Sequence, residues 1–182
     1  MAMTSLESSL FRLGFLEGGF YHLYNEFPKI SEGKTFYSFK SLVREIAVIK
    51  LWNFLLVRQD LLKDLGILKK EIIDECLSPF WEPIYKNREG FKLLRNKYIA
   101  HMQEEKKPFK KTAEEILHET KLEISWNDIT FYSGCALNYC IFIKANFQKE
   151  FESAREKYFK SVPLEGILPR SDIKHEKDPN SE

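Results

Sequence analysis

ITFYSGCALNYCIFIKANFQKEFESAREKY, residues 129–158, decides the fold class. Ile129, Ser133, Ala136, Cys140, Ile143, Phe147, Phe151, Ala154 and Tyr158 recur at steps of three and four. A helix turns about 100° per residue, so these positions form one seam along a single long helix. Such a seam packs lengthwise against its neighbours in a bundle. Ser125 and Asp128 have the spacing of an N-terminal cap, with aspartate in place of the usual Glu or Gln. Pro163 ends the helix.

The rest of the chain repeats this periodicity. Leu6, Leu10, Leu13, Phe20, Leu23 and Phe27 predict a first helix, closed by Pro28. Gly14, Gly18 and Gly19 weaken it by up to about 1 kcal/mol each, or let another helix approach closely. Residues from Thr35 to about Leu65 predict a long second helix that is apolar almost all round, and so buried on several sides. Gly66 is its expected stop. A short helix from about Lys69 to Leu77 should end at Ser78-Pro79, and Trp81 to Tyr85 reads as a turn or brief helix. Thr112 and Glu115 have capping-box spacing for another short helix. No run alternates in polarity as a strand would. The expected fold is all-α, an antiparallel helical bundle with a long C-terminal helix. One domain should cover residues 1–165, with a polar, disordered tail at 166–182.

Composition narrows the function classes. The 182 residues are 43% hydrophobic and 30% charged, which suits a single globular domain. The formal net charge is only +1, so any nucleic-acid contact must come from a local patch. Cys76, Cys135 and Cys140 lack metal-type spacing and read as buried free thiols of a reducing compartment. No metal or cofactor is expected. Glu7, Arg12, Glu17 and His22 interrupt the apolar residues of the N-terminus, so no secretory signal is expected. Lys50 and Asn53 break the longest apolar stretch below membrane-spanning length. A cytoplasmic protein is the expectation. His22, between two tyrosines, should be packed or capped. His118 should be exposed on a short charged helix. Arg44, Glu45 and Lys50 should form structural or interface salt bridges.

Chemistry concentrates in Leu94-Arg95-Asn96-Lys97-Tyr98-Ile99-Ala100-His101. An arginine grips a phosphate with two donors, and a histidine exchanges protons near neutral pH. Together they provide what cleavage of an RNA phosphodiester needs. Arg95 and His101 are six residues apart, about 120° around a helix and about 9 Å along it. One straight helix does not aim both at one point. The helix could end before His101, the long Arg95 could reach across, or a second subunit could supply the partner. An Arg four to six residues ahead of a His occurs again at Arg170 and His175, five apart in the polar tail, where nothing would hold the pair. From the residues alone, Arg95 serves equally as a surface arginine and His101 as a helix C-terminal cap.

Arg95 with the polar Asn96 after it, Ala100 before His101, and the apolar Leu93, Leu94, Tyr98 and Ile99 give the stretch a distinctive form. It resembles the HEPN superfamily of all-α proteins, and especially bacterial members linked to abortive infection and toxin–antitoxin systems. The resemblance implies a metal-independent endoribonuclease, a toxin or phage-defence effector acting at a homodimer interface. Its products would carry a 2′,3′-cyclic phosphate. His101 would act as general base on the ribose 2′-hydroxyl or hold it in place, Arg95 would stabilise the transition state, and Asn96 would orient the phosphate or Arg95. Lys97, Lys106, Lys107, Lys110 and Lys111 are candidate RNA contacts, with Phe109 placed to stack on a base. RNA, a second copy of the chain and an antitoxin are the partners implied, and no membrane. Family toxins silenced by a nucleotidyltransferase carry a Tyr two residues after the His. Here that position is Gln103, which puts that mode of control in doubt. The alternative is a non-catalytic helical module that binds a nucleotide, RNA or a protein.

Overall fold

The computed structural model describes residues 2–30, 36–103 and 124–161, with side chains over 2–29, 42–96 and 124–161. Helices dominate, and there is no strand among the described residues. They are α1 (Ser5–Tyr21), α2 (Phe27–Ile30), α3 (Phe36–Asp64), α4 (Ile67–Cys76), α5 (Ser78–Lys86), α6 (Arg88–Gln103), α7 (Trp126–Asn146) and α8 (Gln148–Ser161). A π-turn over His22–Glu26 joins α1 to α2. The predicted tail at 166–182, the second capping box at Thr112 and Glu115, and His118 lie outside the described residues.

Pairings across the bundle fix its directions. On α3, Asp64 meets Ser5 and Asp60 meets Arg12 on α1, while Phe54 meets Phe20, so the two helices run antiparallel. Lys144 of α7 reaches Glu17 of α1, and Lys157 of α8 reaches Glu7. Both C-terminal helices therefore also run against α1, and α8 covers its N-terminal half. Arg44 lies over Trp126, and Phe54 meets Tyr139, so α3 and α7 run the same way. Phe20, Phe54 and Tyr139 are fully buried and stack edge to face through the centre, with Leu51, Leu61, Ile84, Phe91, Leu94 and Ile129 around them. An antiparallel all-α bundle is the result.

Three boundaries differ from the sequence reading. Pro28 does not end the first helical segment. The π-turn starts a fresh helix at Phe27, and in a first turn the missing proline N–H costs no bond. Gly66 follows α3 with φ −61°, not in the left-handed region, and serves as N-cap of α4. The long C-terminal helix is broken at Phe147 (φ −124°, ψ 35°), whose buried ring sits at the corner between α7 and α8. The seam is continuous in contacts but not in helix, because both halves pack on α1. Trp81 to Tyr85, read as a turn or brief helix, belongs to the nine-residue α5. Ser125 and Asp128 form the reciprocal cap expected of them.

Among the glycines, Gly14 lets the Phe151 ring of α8 approach to 2.5 Å from where a Cβ would stand, and Gly19 does the same for the Lys50 side chain. Gly18 faces open space. Cys135 and Cys140 are buried free thiols, pushed up in pKa by that burial, whereas Cys76 is exposed. His22 is exposed rather than packed, and pairs with Glu26 one turn on. No helix among the described residues is long and apolar enough to cross a membrane.

Candidate functional site

The motif lies on α6, and α6 is anchored at its start. Asn87, in the turn between α5 and α6, donates from Nδ2 to the Pro83 carbonyl at 3.2 Å and to Tyr132 Oη at 2.9 Å. Its own carbonyl accepts from the Phe91 N–H at 3.1 Å. Phe91 and Leu94 are fully buried, and the Phe91 ring meets Tyr132 of α7 edge to face at 5.9 Å. These contacts fix which way α6 faces. Arg88, Lys92 and Arg95 follow at steps of four and three, so they line one edge of the helix within about 60° of each other.

Arg95 is half-buried and Asn96 is exposed. Arg95 donates from Nη1 to Asn96 Oδ1 at 3.0 Å. The backbone stays helical through His101 to Gln103, which removes one of the three ways of uniting Arg95 with His101: the helix does not end before the histidine. Position 101 comes about two turns after the fully buried Leu94, while Asn96 lies on the opposite side of Arg95. The guanidinium therefore leans away from the side of the helix that carries position 101. Within one chain, α6 does not bring the two together. Lys97 and His101 are described as helix backbone only. Lys106, Lys107, Phe109, Lys110 and Lys111 lie outside the described residues.

Beside Arg95, at the N-terminal end of the same helix, a cleft of about 470 Å³ opens between α3, α4, α5 and α6. The sequence reading did not find it. Trp52, Arg58, Asp74, Trp81, Tyr85 and Arg88 are its chemically informative walls, with Glu89 and Lys92 at the α6 side. Arg58 of α3 is buried, pairs with Asp74 of α4, and lies with its guanidinium 3.6 Å from the Trp81 ring centre. Trp81 Nε1 donates to the Asp74 carbonyl at 3.1 Å. That triangle ties α3, α4 and α5 together. Arg88 lies over the Tyr85 ring at 4.2 Å and reaches Glu89 at 3.5 Å. Behind the cleft, burial pushes the Tyr139 hydroxyl up in pKa, with the Arg58 guanidinium close enough to pull it partly back.

Arg44 Nε is buried and unpartnered, with the guanidinium 5.4 Å from the Trp126 ring centre. It makes a cation–π contact between α3 and the start of α7. Among the described residues no group of three or more His, Cys, Asp or Glu side chains could hold a metal ion.

No protein-family model, curated protein or solved structure matches the chain.

Proposed function

We propose that this protein is a metal-independent endoribonuclease of HEPN type, a toxin or phage-defence effector whose site forms where two copies of α6 meet. The observation that carries the reading is the Arg95–Asn96 pair. An exposed asparagine holds the guanidinium of a half-buried arginine on a helix that continues unbroken to His101. An arginine fixed this way is set to receive a phosphate with its remaining donors. The row Arg88, Lys92 and Arg95 gives a strand three cations along about 10 Å of helix. With a net charge of only +1, RNA binding needs a local basic row of this kind.

In the proposed reaction, His101 takes the proton of a ribose 2′-hydroxyl. The 2′-oxygen attacks the adjacent phosphorus, and the bond to the 5′-oxygen breaks. The proton passes from His101 to that leaving oxygen, directly or through water. A 2′,3′-cyclic phosphate and a 5′-hydroxyl result. Arg95 holds the charge that builds on the phosphate oxygens. Because Arg95 and position 101 face different ways in one chain, the second copy supplies the missing half of each site. Lys97 and the lysines at 106, 107, 110 and 111 would add phosphate contacts, and their strength would fall with salt.

The test is incubation of the pure protein with total RNA in EDTA. Cleavage is expected for the wild type. Loss of about 100-fold or more is expected for Arg95→Ala and for His101→Ala, as for removal of a charge stabiliser or a general base. Comparable cleavage by His101→Ala would remove that residue from the mechanism. Failure of the wild type to cut any RNA would favour the second reading, a non-catalytic module that binds RNA or nucleotide through the same basic row.

A further inference from the structure

We propose that the cleft between α3, α5 and α6 is a base-binding pocket. It takes the nucleobase of one RNA nucleotide and passes its phosphate along Arg88 and Lys92 towards Arg95. The link to cleavage rests on the ribonuclease reading, whereas base capture itself does not.

Size is the first argument. About 470 Å³ lies within the range of small-molecule pockets and is far more than a packing defect. Chemistry is the second. Trp52, Trp81 and Tyr85 supply ring surface, and nucleobases stack on such rings whatever their sequence. Arg88 already lies over the Tyr85 ring at 4.2 Å, so that ring face accepts a planar, delocalised partner. A base that took this place would free the Arg88 guanidinium for a phosphate. Its other contact, to Glu89 at 3.5 Å, is long and exposed and would be given up readily.

The third argument is the cost of the pocket wall. Arg58 is 7% exposed and pairs with Asp74. Burying an ion pair costs desolvation that an apolar residue of the same volume would not. Its position explains the expense. Arg58 lies against the Trp81 ring, and Asp74 holds Arg58 in turn, so the aromatic wall is braced before any ligand arrives. Three cations face two carboxylates in the lining, Arg58, Arg88 and Lys92 against Asp74 and Glu89. The balance favours an anion that carries its charge on the α6 side.

Position is the fourth. Arg88 and Arg95 are seven residues apart on one edge of α6, about 10 Å. At about 3.4 Å per stacked nucleotide, that is about three nucleotides of strand. The pocket therefore selects a base beside the cut and not at it.

The experiment titrates AMP, GMP, CMP, UMP and inorganic phosphate separately into the full chain, following tryptophan fluorescence and the heat of binding. At least one monophosphate is expected to bind and to quench fluorescence, with inorganic phosphate at least about tenfold weaker. Tyr85→Ala and Arg88→Ala are each expected to weaken nucleotide binding about tenfold, the scale of one lost base stack or phosphate contact. Tyr85 is 41% exposed and the Arg88 side chain 42%, and neither belongs to the core, so both variants should melt close to the wild type, which circular dichroism checks. The proposal is overturned if no monophosphate binds at millimolar concentration, if phosphate alone binds as well, or if neither substitution changes binding. Nucleotide binding without RNA cleavage would keep the pocket and remove the ribonuclease reading. RNA cleavage without nucleotide binding would do the reverse.

Discussion

Arg95 spends one of its donors on its neighbour. A single charge-assisted hydrogen bond to Asn96 restrains a long side chain that would otherwise sample many rotamers. Asn96→Ala should therefore slow RNA cleavage about tenfold, the worth of about 1.5 kcal/mol. It should leave the melting temperature almost unchanged, since Asn96 is exposed. Equal rates for Asn96→Ala and wild type would show that Arg95 needs no such restraint. Residues 95, 96 and 101 stood out as candidates in the sequence because their types and order resemble a known pattern. Arg58 was not. A lone arginine in an apolar helix gives no sign of an aspartate sixteen residues on or a tryptophan twenty-three residues on, since only the α3–α4–α5 packing unites them. The row at 88, 92 and 95 was present as a helical spacing and could have been read as one basic edge.

Among the elements, α1 carries the sharpest contrast. Gly14 and Gly18 are one turn apart and have the same intrinsic cost in a helix, about 1 kcal/mol against alanine. Their surroundings differ. A Cβ at Gly14 would stand 2.5 Å and 2.8 Å from carbons of the half-buried Phe151 ring, which packs against the core and would have to shift. Gly14→Ala should destabilise by about 1–2 kcal/mol, as overpacking outweighs the gain in propensity. Gly18→Ala meets nothing within 4 Å and should stabilise by about 0.5–1 kcal/mol. Urea denaturation of the two variants checks the opposite signs, and equal signs would refute the packing argument. The sequence left weakening of the helix or close approach open for all three glycines and could not say which ones face a neighbour. It likewise gave the apolar seam of 129–158 correctly but not the break at Phe147. A seam records which residues face the core, and a corner that keeps them facing α1 leaves the spacing intact.

For the whole molecule, Glu7 fastens α8 to the start of α1. It closes the cap of α1 with Thr4, accepts from Ser153 Oγ at 2.7 Å and pairs with Lys157 at 2.7 Å. Lys157 above all, then the Thr4 N–H and Ser153, hold its carboxyl down at about 2, against an ordinary 4.5. The folded state therefore binds this proton less readily than the unfolded state. Its contribution to stability is complete above pH 4.5 and is lost as pH falls through about 2. Glu7→Gln should lower the melting temperature at neutral pH and approach the wild type near pH 2. Thermal melts across that range check it, and a gap that does not narrow would contradict the pairing. The all-α bundle was legible because helical periodicity covers nearly every segment. The α8–α1 clamp was not, since Glu7 and Lys157 are 150 residues apart.

The central claim is that one chain holds only half of each site. A continuous helix separates Arg95 from position 101 by about 120°. The direct measurement is the rate of RNA cleavage per chain in EDTA across a dilution series, with the mass of the particle measured by sedimentation at the same concentrations. The account predicts that the rate per chain rises and falls with the dimer fraction and that the cut ends carry 2′,3′-cyclic phosphate. Full activity per chain in a monomer, or a stable dimer that cuts no RNA, would contradict it.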